Sequence, residues 1–281
     1  MNETRSGGAT AKPIELINLS YPEVAQHLKS SDTVIVPCGA TEQHGEHLPL
    51  GVDAMAAIAV SEDASEVTGT LLAPPLWYGW SPHHMGFPGT ISLRPETLTA
   101  MAEDVMISLL HHGFKRIILV NGHRLANLPP LEIAVSRVRA ITGAIAVVAD
   151  LGHFAQAEYA RAVAEDGAGG IGHADGYETA HMMYIHPDLV HEDAIPVVSE
   201  PAKAQNSFRV IDPSSVSSRA AWWPSTEAEL LASGNGTSGL PSWGTVQRGE
   251  VLHKALVRDL AGLIDQVRAT PTTVDVPGAP R

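Results

Sequence analysis

The sequence of 281 residues predicts an α/β fold, built on a mostly parallel sheet with helices on both faces. Two observations support this prediction. Short apolar segments alternate with helical patterns along the chain, as they do in βαβ units. In addition, the segment 115–120 ends in a continuous apolar run, Ile117-Ile118-Leu119-Val120, which is typical of a strand that is buried on both faces.

Capping and stop signals place the individual elements. The capping box Ser20-Tyr21-Pro22-Glu23 opens a first helix, and Gly113 ends a helix that begins at Pro95. In chain order we predict a helix at 20–29, a strand at 33–37, a helix at 53–66, a strand at 70–73, a helix at 95–112, a strand at 115–120, a helix at 129–142, a strand at 144–149 and a helix at 247–268. Residues 151–172 and 200–245 are less regular. The second stretch contains Trp222, Trp223 and Trp243, and we expect it to wall a pocket.

Composition excludes several classes of function. The net charge of −13 argues against nucleic acid and anionic membranes as partners, because both require a basic patch. No apolar run approaches the roughly 18 residues of a membrane-spanning helix, and the N-terminus lacks the apolar core of a signal peptide. We therefore expect a cytoplasmic protein. The single cysteine, Cys38, leaves no internal disulfide and no thiolate-based metal motif, and we expect it to be buried and inert.

The polar segment 42–53 is the most informative part of the chain. It lies between a predicted strand and a predicted helix, which is where ligands bind in open α/β sheets. Glu42 and His44 are two residues apart, so in an extended chain their side chains point to the same side, and Asp53 reaches back from the helix start. Mixed carboxylate and imidazole groups suit Zn²⁺, Mn²⁺ or Fe²⁺. The ordinary alternative is a polar loop with Asp53 as a helix N-cap.

Three further segments carry similar side chains at predicted strand ends or helix starts. They are the loop 79–90 with Trp80 and His84, the turn Asn121-Gly122-His123, and the segment 173–179 with His173 and Glu178. By itself, His123 is also consistent with a turn residue, and Glu178 with a residue that stabilises a helix N-terminus. Together with the segment 42–53, these side chains predict one shared site.

Four motifs in this order resemble the creatininase (creatinine amidohydrolase) family. They are Pro37-x-Gly39-x-x-Glu42-Gln43-His44-Gly45-x-His47-Leu48-Pro49-Leu50-x-x-Asp53, Phe87-Pro88-Gly89-Thr90-Ile91-Ser92-Leu93, Val120-Asn121-Gly122-His123 and His173-Ala174-x-x-x-Glu178-Thr179. The first motif is long and specific, whereas the others are weak alone. The resemblance runs from residue 13 to residue 268. It implies a single catalytic domain at 13–268 between disordered tails at 1–12 and 269–281.

The resemblance also implies a three-layer α/β/α sandwich, a homo-oligomer that is often a hexamer, and two divalent metal ions per chain. Glu42 and His123 would bind one ion, His44 would bind the second, and Asp53 would bridge them. A bridged pair lowers the pKa of shared water, and the resulting hydroxide attacks a carbonyl carbon. His173 would protonate the leaving nitrogen, and Glu178 would act as a metal ligand or as a second catalytic residue. The implied activity is hydrolysis of the C–N bond of a small cyclic or linear amide, other than an ordinary peptide bond.

The sequence departs from the family pattern after His123. Creatininase proper has a carboxylate two residues after the matching histidine, and this chain has Leu125 there. Many relatives have Gly-Gly-Asn after that histidine, whereas Arg124-Leu125-Ala126-Asn127 delays the Asn by one residue. The second ion therefore lacks one expected ligand, and Glu178 or water must complete its site. Relatives also often have His-Ala-Gly-Glu where Asp175-Gly176 follows His-Ala here, and we do not expect creatinine as the substrate.

We expect the substrate to contact His84, Arg124, Trp80 and Tyr177. His47 and His84 suit contacts to the substrate or to a metal ligand, and the tryptophans suit either packing or pocket lining. Arg124 is suited to hold an anionic or carbonyl oxygen with two hydrogen bonds, or to form a structural salt bridge. The remaining histidines are expected at the surface or at helix caps: His111, His112, His153, His186, His191 and His253.

Three functions remain open from the sequence. The first is the metal-dependent amide hydrolase. The second is a relative that cleaves another bond, such as the ring C–C bond of an oxidised inositol (a dehydro-inosose), a formamide bond or a peptide bond. A hydroxyl-rich rather than aromatic pocket would favour the inositol substrate. The third is a non-catalytic metal-binding scaffold, which the metal content of the purified protein would reveal.

Overall fold

The computed structural model describes residues 12–165, 172–197, 226–232, 234–272 and 274. These residues contain a parallel sheet with the strand order β1-β3-β2-β4-β5. Its strands are β1 (Ile14–Glu15), β2 (Thr33–Cys38), β3 (Leu71–Leu72), β4 (Arg116–Asn121) and β5 (Ile145–Asp150). The helices are α1 (Tyr21–His27), α2 (Val52–Thr68), α3 (Pro95–His111), α4 (Leu128–Thr142), α5 (Gln156–Glu165), α6 (Gly176–Ile185), α7 (Glu227–Ala232) and α8 (Val246–Ala269).

Alternate side chains of the two central strands are buried against different helix layers. Val34 of β2 and Ile117 of β4 pack with α3 and α4 on one face. Their neighbours Ile35 and Ile118 pack on the opposite face with α2 and α8. Because both faces are covered, a central strand must be apolar at every position rather than at alternate ones. The predicted three-layer α/β/α sandwich is confirmed.

The predicted helices and strands are present, with ends that differ by at most two residues. The sequence missed β1, α5 inside the stretch 151–172 and α7 inside the stretch 200–245. The helix α5 is amphipathic but has only ten residues, and four of them are charged or amide side chains, so it lacks a long apolar run. Trp222 and Trp223 lie outside the described residues. No helix in the described part of the chain is long and apolar enough to cross a membrane.

Two glycines at strand ends bring the start of α2 against the sheet. A Cβ atom at Gly122, just after β4, would lie 2.0 Å from the carbonyl oxygen of Asp53. A Cβ atom at Gly39, just after β2, would lie 2.3 Å from the Cα of Ala54. Any larger residue would push the first turn of α2 away from the sheet. The two glycines therefore set the distance between Asp53 and the ends of β2 and β4.

Candidate metal centre

Six acidic and histidine side chains meet beside the carboxyl ends of β2 and β4. Parallel strands end at the same edge of the sheet, so side chains from distant parts of the sequence converge there. The six are Glu42 and His44 after β2, Asp53 in the first turn of α2, His123 after β4, and His173 and Glu178 around the start of α6.

Glu42, Asp53 and His123 form the first group of donor atoms. The Nδ1 atom of His123 lies 3.2 Å from Oδ2 of Asp53 and 3.5 Å from Oε1 of Glu42. One donor atom from each residue lies within 4.8 Å of the others, and all three side chains are buried. Two carboxylates and one imidazole at this spacing fit one divalent cation.

His44, Asp53 and Glu178 form a second group, which shares Asp53 with the first. The Nε2 atom of His44 lies 3.4 Å from Oδ1 of Asp53 and 3.8 Å from Oε2 of Glu178. Asp53 thus faces each group with a different oxygen, as a bridging carboxylate does. Asp53 does not cap α2, because Gly51 occupies the N-cap position.

Backbone carbonyls determine which ring nitrogen of the histidines faces the carboxylates. His44 donates from Nδ1 to the carbonyl of Glu42 at 3.1 Å, and His123 donates from Nε2 to the carbonyl of Trp80 at 3.2 Å. His173 donates from Nε2 to the carbonyl of Gln43 at 2.6 Å. A carbonyl oxygen only accepts, so in each neutral ring the other nitrogen carries a lone pair. These lone pairs point into the cluster, as in metal-binding histidines.

Several buried atoms of the cluster lack a hydrogen bond of normal geometry within the described chain. They are both carboxylate oxygens of Glu42, Nε2 of His44 and Oδ2 of Asp53. A buried polar atom left without a partner costs about 1–3 kcal/mol. Cations bound in the two groups would satisfy all four atoms, so the residues present fit a pair of divalent ions.

Burial and neighbouring charges raise the pKa values of four of these side chains, so that they bind protons when no cation is present. Burial raises the pKa of Glu42 to about 7 and that of Glu178 to about 8. Burial alone would lower the pKa of His44, but the Asp53, Glu178 and Glu42 carboxylates outweigh it and raise that pKa to about 10. For His123, Glu42 and Asp53 outweigh burial and raise the pKa to about 9. Without cations, protons therefore partly neutralise the carboxylates.

His173 is held beside the cluster by a different segment of the chain. Its backbone pairs with Ser238 through two hydrogen bonds of 3.2 and 2.8 Å. Its Nδ1 atom lies 3.6 Å from Oε1 of Glu42. Burial, and next the positive charge of His44, hold the pKa of His173 well below its usual value. His173 is therefore neutral at pH 7, with Nδ1 as a proton acceptor.

Strained backbone occurs in two of the loops that form the cluster. Ala174, after His173, has φ of 49°, and Leu125, after Arg124, has φ of 62°. Such positive φ values cost about 1–3 kcal/mol for a residue other than glycine. The strain at Ala174 accompanies a 2.6 Å hydrogen bond from its N–H to Oε2 of Glu178, which orients that carboxylate.

The four expected substrate contacts have different surroundings. His84 is in the cluster, with Nε2 3.4 Å from Oε1 of Glu42. Trp80 contributes its carbonyl to His123, while its side chain packs on the core. Tyr177 packs against Trp243 in the core, with ring centroids 5.0 Å apart, and both side chains are buried. Contact of Tyr177 with a substrate stays a prediction.

Arg124 lies against Gly152, where a Cβ atom would come within 2.5 Å of its Cδ. Its Nε atom is buried and has no hydrogen-bond partner in the described ranges. The Asp175 carboxylate, which Arg124 stabilises electrostatically, already accepts from the N–H groups of Gly172, Tyr177 and Glu178.

The sequence interpretation missed two features around the cluster. Gln43, inside the first motif, makes side-chain contacts to His84, Gly45 and Gly236. The only local sequence feature that could have indicated this role is the position of Gln43 between the candidate ligands Glu42 and His44. His253 was expected at the surface, and this is wrong: it is buried, with Nδ1 2.9 Å from Nε2 of His181 and Nε2 2.9 Å from Asp63. Its spacing on the apolar face of α8 was the available signal.

A family model described as creatininase, creatinine amidohydrolase, matches residues 18–264. Similar curated proteins include 3-dehydro-scyllo-inosose hydrolase of Thermotoga maritima, which is 29% identical over 179 residues that cover 62% of this chain and 57% of the relative. Creatinine amidohydrolase of Pseudomonas putida is 31% identical over 199 residues, or 66% of this chain and 76% of the relative. Mycofactocin precursor peptide peptidase of Mycobacterium ulcerans is 33% identical over 178 residues, or 58% and 62%. The chain thus spans less than two thirds of the inosose hydrolase and of the peptidase.

Solved creatininase structures are similar over nearly the whole chain. A creatinine amidohydrolase (creatininase) structure superposes with a TM-score of 0.75 at 27% identity and covers 93% of this chain and 100% of its own. A creatininase structure named for Mn has a TM-score of 0.75 at 25% identity, with 92% and 100% covered. A Glu-to-Gln mutant creatininase of Zn-Zn type has a TM-score of 0.76 at 26% identity, with the same coverage.

Proposed function

Because this chain belongs to the creatininase family, we propose that it is a metal-dependent hydrolase of the C–N bond of a small cyclic or linear amide. One observation carries the proposal. Two groups of buried donor atoms share the Asp53 carboxylate, one oxygen facing each group. Such an arrangement is costly to build without cations, since it brings two buried carboxylates and the partly exposed Glu178 together.

The proposed ion sites use five side chains. Glu42 and His123 would hold one ion, His44 and Glu178 would hold the other, and Asp53 would serve both. A pair of Zn²⁺ or Mn²⁺ ions would supply a water of lowered pKa and would polarise the substrate carbonyl. With Glu178 in the second group, that ion would have protein ligands although position 125 is a leucine.

His173 is the proposed proton carrier. Its Nε2–H is committed to the carbonyl of Gln43 at 2.6 Å, which fixes the ring and leaves Nδ1 free. Because the ring is neutral at pH 7, Nδ1 accepts the proton of the attacking water first. The same atom then gives that proton to the leaving nitrogen. The sequence predicted only that His173 donates a proton. In the proposed mechanism, His173 first accepts this proton from water and then donates it.

Arg124 is the proposed contact for an oxygen of the substrate. Its Nε atom has no acceptor among the described residues, and it directly follows the ligand His123. A guanidinium presents paired N–H groups that match a carboxylate or carbonyl oxygen. His84 lies 3.4 Å from Oε1 of Glu42 through its Nε2 atom, so it faces this carboxylate.

A second candidate is hydrolysis of a different bond by the same site. The similar proteins include an inosose hydrolase and a peptide peptidase as well as a creatinine amidohydrolase. These names span ring, amide and peptide substrates, so similarity alone favours none of them. Specificity depends on the loops around the cluster rather than on the ligands.

Metal content and hydrolysis by one pair of variants test the proposal. Protein stripped with EDTA would be reloaded with Zn²⁺ or Mn²⁺, counted for bound ions, and assayed against lactams, linear amides, formamides, peptides and a dehydro-inosose. We expect two ions per chain and hydrolysis of at least one amide. Glu42→Gln should reduce hydrolysis by at least about 100-fold, because it removes a charged ligand. Glu46→Gln, an exposed change four residues away, should have no effect.

Three results would contradict it in different ways. Fewer than two ions per chain, with hydrolysis intact in Glu42→Gln, would rule out the dinuclear mechanism. Cleavage of the inosose or of peptides but of no other amide would support the second candidate. Two bound ions without hydrolysis of any class would indicate a metal-binding scaffold.

A further inference from the structure

The side chain of Gln43 is buried beside the cluster, and its orientation is fixed at both ends. Its Oε1 accepts a hydrogen bond from the N–H of Gly45 at 2.8 Å. Its Nε2 donates to the carbonyl of Gly236 at 3.1 Å and lies 2.8 Å from Nδ1 of His84. An amide nitrogen only donates and an amide oxygen only accepts. The contacts to Gly45 and Gly236 therefore agree on which end of the amide faces His84.

This orientation determines the hydrogen positions on His84. Because Nε2 of Gln43 is a donor, Nδ1 of His84 must accept and carries a lone pair. In the neutral ring the hydrogen then resides on Nε2, which faces Oε1 of Glu42 at 3.4 Å. The three histidines of the cluster show the opposite pattern, with a lone pair toward the carboxylates. His84 thus presents a donor where His44, His123 and His173 present acceptors.

We propose that Gln43 is a positioning residue that sets the tautomer of His84, so that His84 turns Nε2–H toward Glu42 and does not bind an ion. This inference rests on the proposed function for the role of Glu42 as a ligand. The 3.4 Å approach of Nε2 to Oε1 of Glu42 is not a hydrogen bond of normal geometry, but the N–H dipole would orient the carboxylate while leaving its lone pairs for the cation. Such partners of a ligand change metal affinity by about 10–100-fold.

The tautomer also explains why a further group of donors need not be an ion site. Glu42, His83 and His84 have donor atoms within 4.8 Å of one another. With Nε2 of His84 protonated and Nδ1 engaged by Gln43, His84 has no lone pair to offer a cation there. The amide of Gln43 therefore removes the group with His83 and His84 from the sets of donors open to Glu42 and leaves those that contain Asp53 and His123, or His44 and His173.

Gly236 leaves room for the side-chain amide of Gln43 and accepts a hydrogen bond from it. A Cβ atom at Gly236 would lie 2.5 Å from Nε2 of Gln43, and its φ of 76° also favours glycine. Two residues later, Ser238 pairs with the backbone of His173. One segment, 234–238, thus anchors both the tautomer of His84 and the position of His173.

Nitrogen NMR of the metal-free protein tests the tautomer directly. In a neutral imidazole, the protonated and unprotonated nitrogens have well separated ¹⁵N shifts, and the His84→Gln variant identifies the His84 signals. We expect the Nε2–H form of His84 in the wild type at pH 7.5. The Nδ1–H form would overturn the inference, whatever the protein does with metals.

Variants of Gln43 test the effect on the ion. Gln43→Glu replaces the donor with an acceptor, so we expect His84 to become protonated at Nδ1 and Mn²⁺ affinity, from the signal of free Mn²⁺ in EPR, to fall by about 10–100-fold. Gln43→Met removes the donor without adding charge, and should give a mixture of tautomers with a smaller loss. The matched control is Gln26→Glu, an exposed change in α1 that should leave both readouts unchanged.

A double variant separates the tautomer from simple damage to packing. In Gln43→Glu with His84→Gln, the introduced amide donates to Glu42 regardless of proton positions, so Mn²⁺ affinity should recover relative to Gln43→Glu alone. No recovery, or unchanged affinity in Gln43→Glu with a switched tautomer, would overturn the positioning role. Failure of the wild type to bind Mn²⁺ would instead contradict the proposed function, while the NMR result would still decide the tautomer.

Discussion

Binding of cations to the stripped protein should release at least about two protons at pH 7. The surrounding carboxylates outweigh burial and raise the pKa of His44 to about 10 and that of His123 to about 9. Both rings are therefore protonated at pH 7 on the nitrogen that faces the carboxylates. A cation needs the lone pair of that same nitrogen, so it must displace the proton.

The size and sign of the pH dependence follow from these values. Each proton released makes the apparent affinity rise tenfold per pH unit, so two protons give about 100-fold between pH 6 and pH 7, or about 2.7 kcal/mol. Because both pKa values lie above 7, affinity rises with pH and the dependence weakens only above about pH 9. Glu42 and Glu178, with pKa values raised to about 7 and 8, add release in the same direction.

Calorimetry in buffers of different ionisation enthalpy measures the protons released when ZnCl₂ is titrated into the stripped protein. His44→Gln should release about one proton fewer, since one titrating ring is removed. The exposed His112→Gln is the matched control and should leave the count unchanged. Release of less than one proton, with affinity flat from pH 6 to pH 8, would refute the reasoning, because the rings would then be neutral before the cation arrives.

Three other perturbations test the fold and the site. Gly122→Ala should destabilise the protein by about 1–3 kcal/mol in urea unfolding, because the added Cβ meets the Asp53 carbonyl, whereas Gly262→Ala, with open space in α8, should stabilise it by up to about 1 kcal/mol; equal effects would contradict the close approach. Cys38, whose pKa burial raises to about 12, should react with a disulfide reagent at pH 8 only after unfolding, and rapid reaction of the native protein would show that the thiol is accessible. Arg124→Met should raise the KM of the hydrolysed substrate about 10–100-fold with a smaller change in kcat, and Arg124→Lys should be intermediate; an unchanged KM would remove Arg124 from the substrate site.

Much of the fold was predictable because the signals are local. The central strand β4 needed only its apolar run, and α3 needed only Pro95 and Gly113. The helices α5 and α7 were missed because both are short and contain charged residues, although α5 is amphipathic. The single domain, the disordered tails, the hexamer and the cytoplasmic location stay predictions.

The candidate ligands were also predictable, with one gap. Glu42, His44 and Asp53 lie within one short segment, and His123 follows a strand that was expected to end at the same edge of the sheet. Glu178 had two interpretations, a helix N-terminal charge or a replacement for the carboxylate missing at Leu125. Its 3.8 Å approach to His44 makes it a donor of the second group.

By itself, the sequence determined the α/β class and the identity of the side chains able to bind cations, because periodicity, turns and short motifs depend on residues close together in the chain. The tertiary structure alone decided which of them lie in one group of donor atoms, which nitrogen each histidine turns toward the cluster, and that Tyr177 packs in the core. These properties depend on contacts between distant residues, such as the one between His173 and Gln43, which are 130 positions apart. No local sequence pattern shows the direction of such a hydrogen bond. The ability of the segment 42–53 to bind cations and move protons depends on that direction.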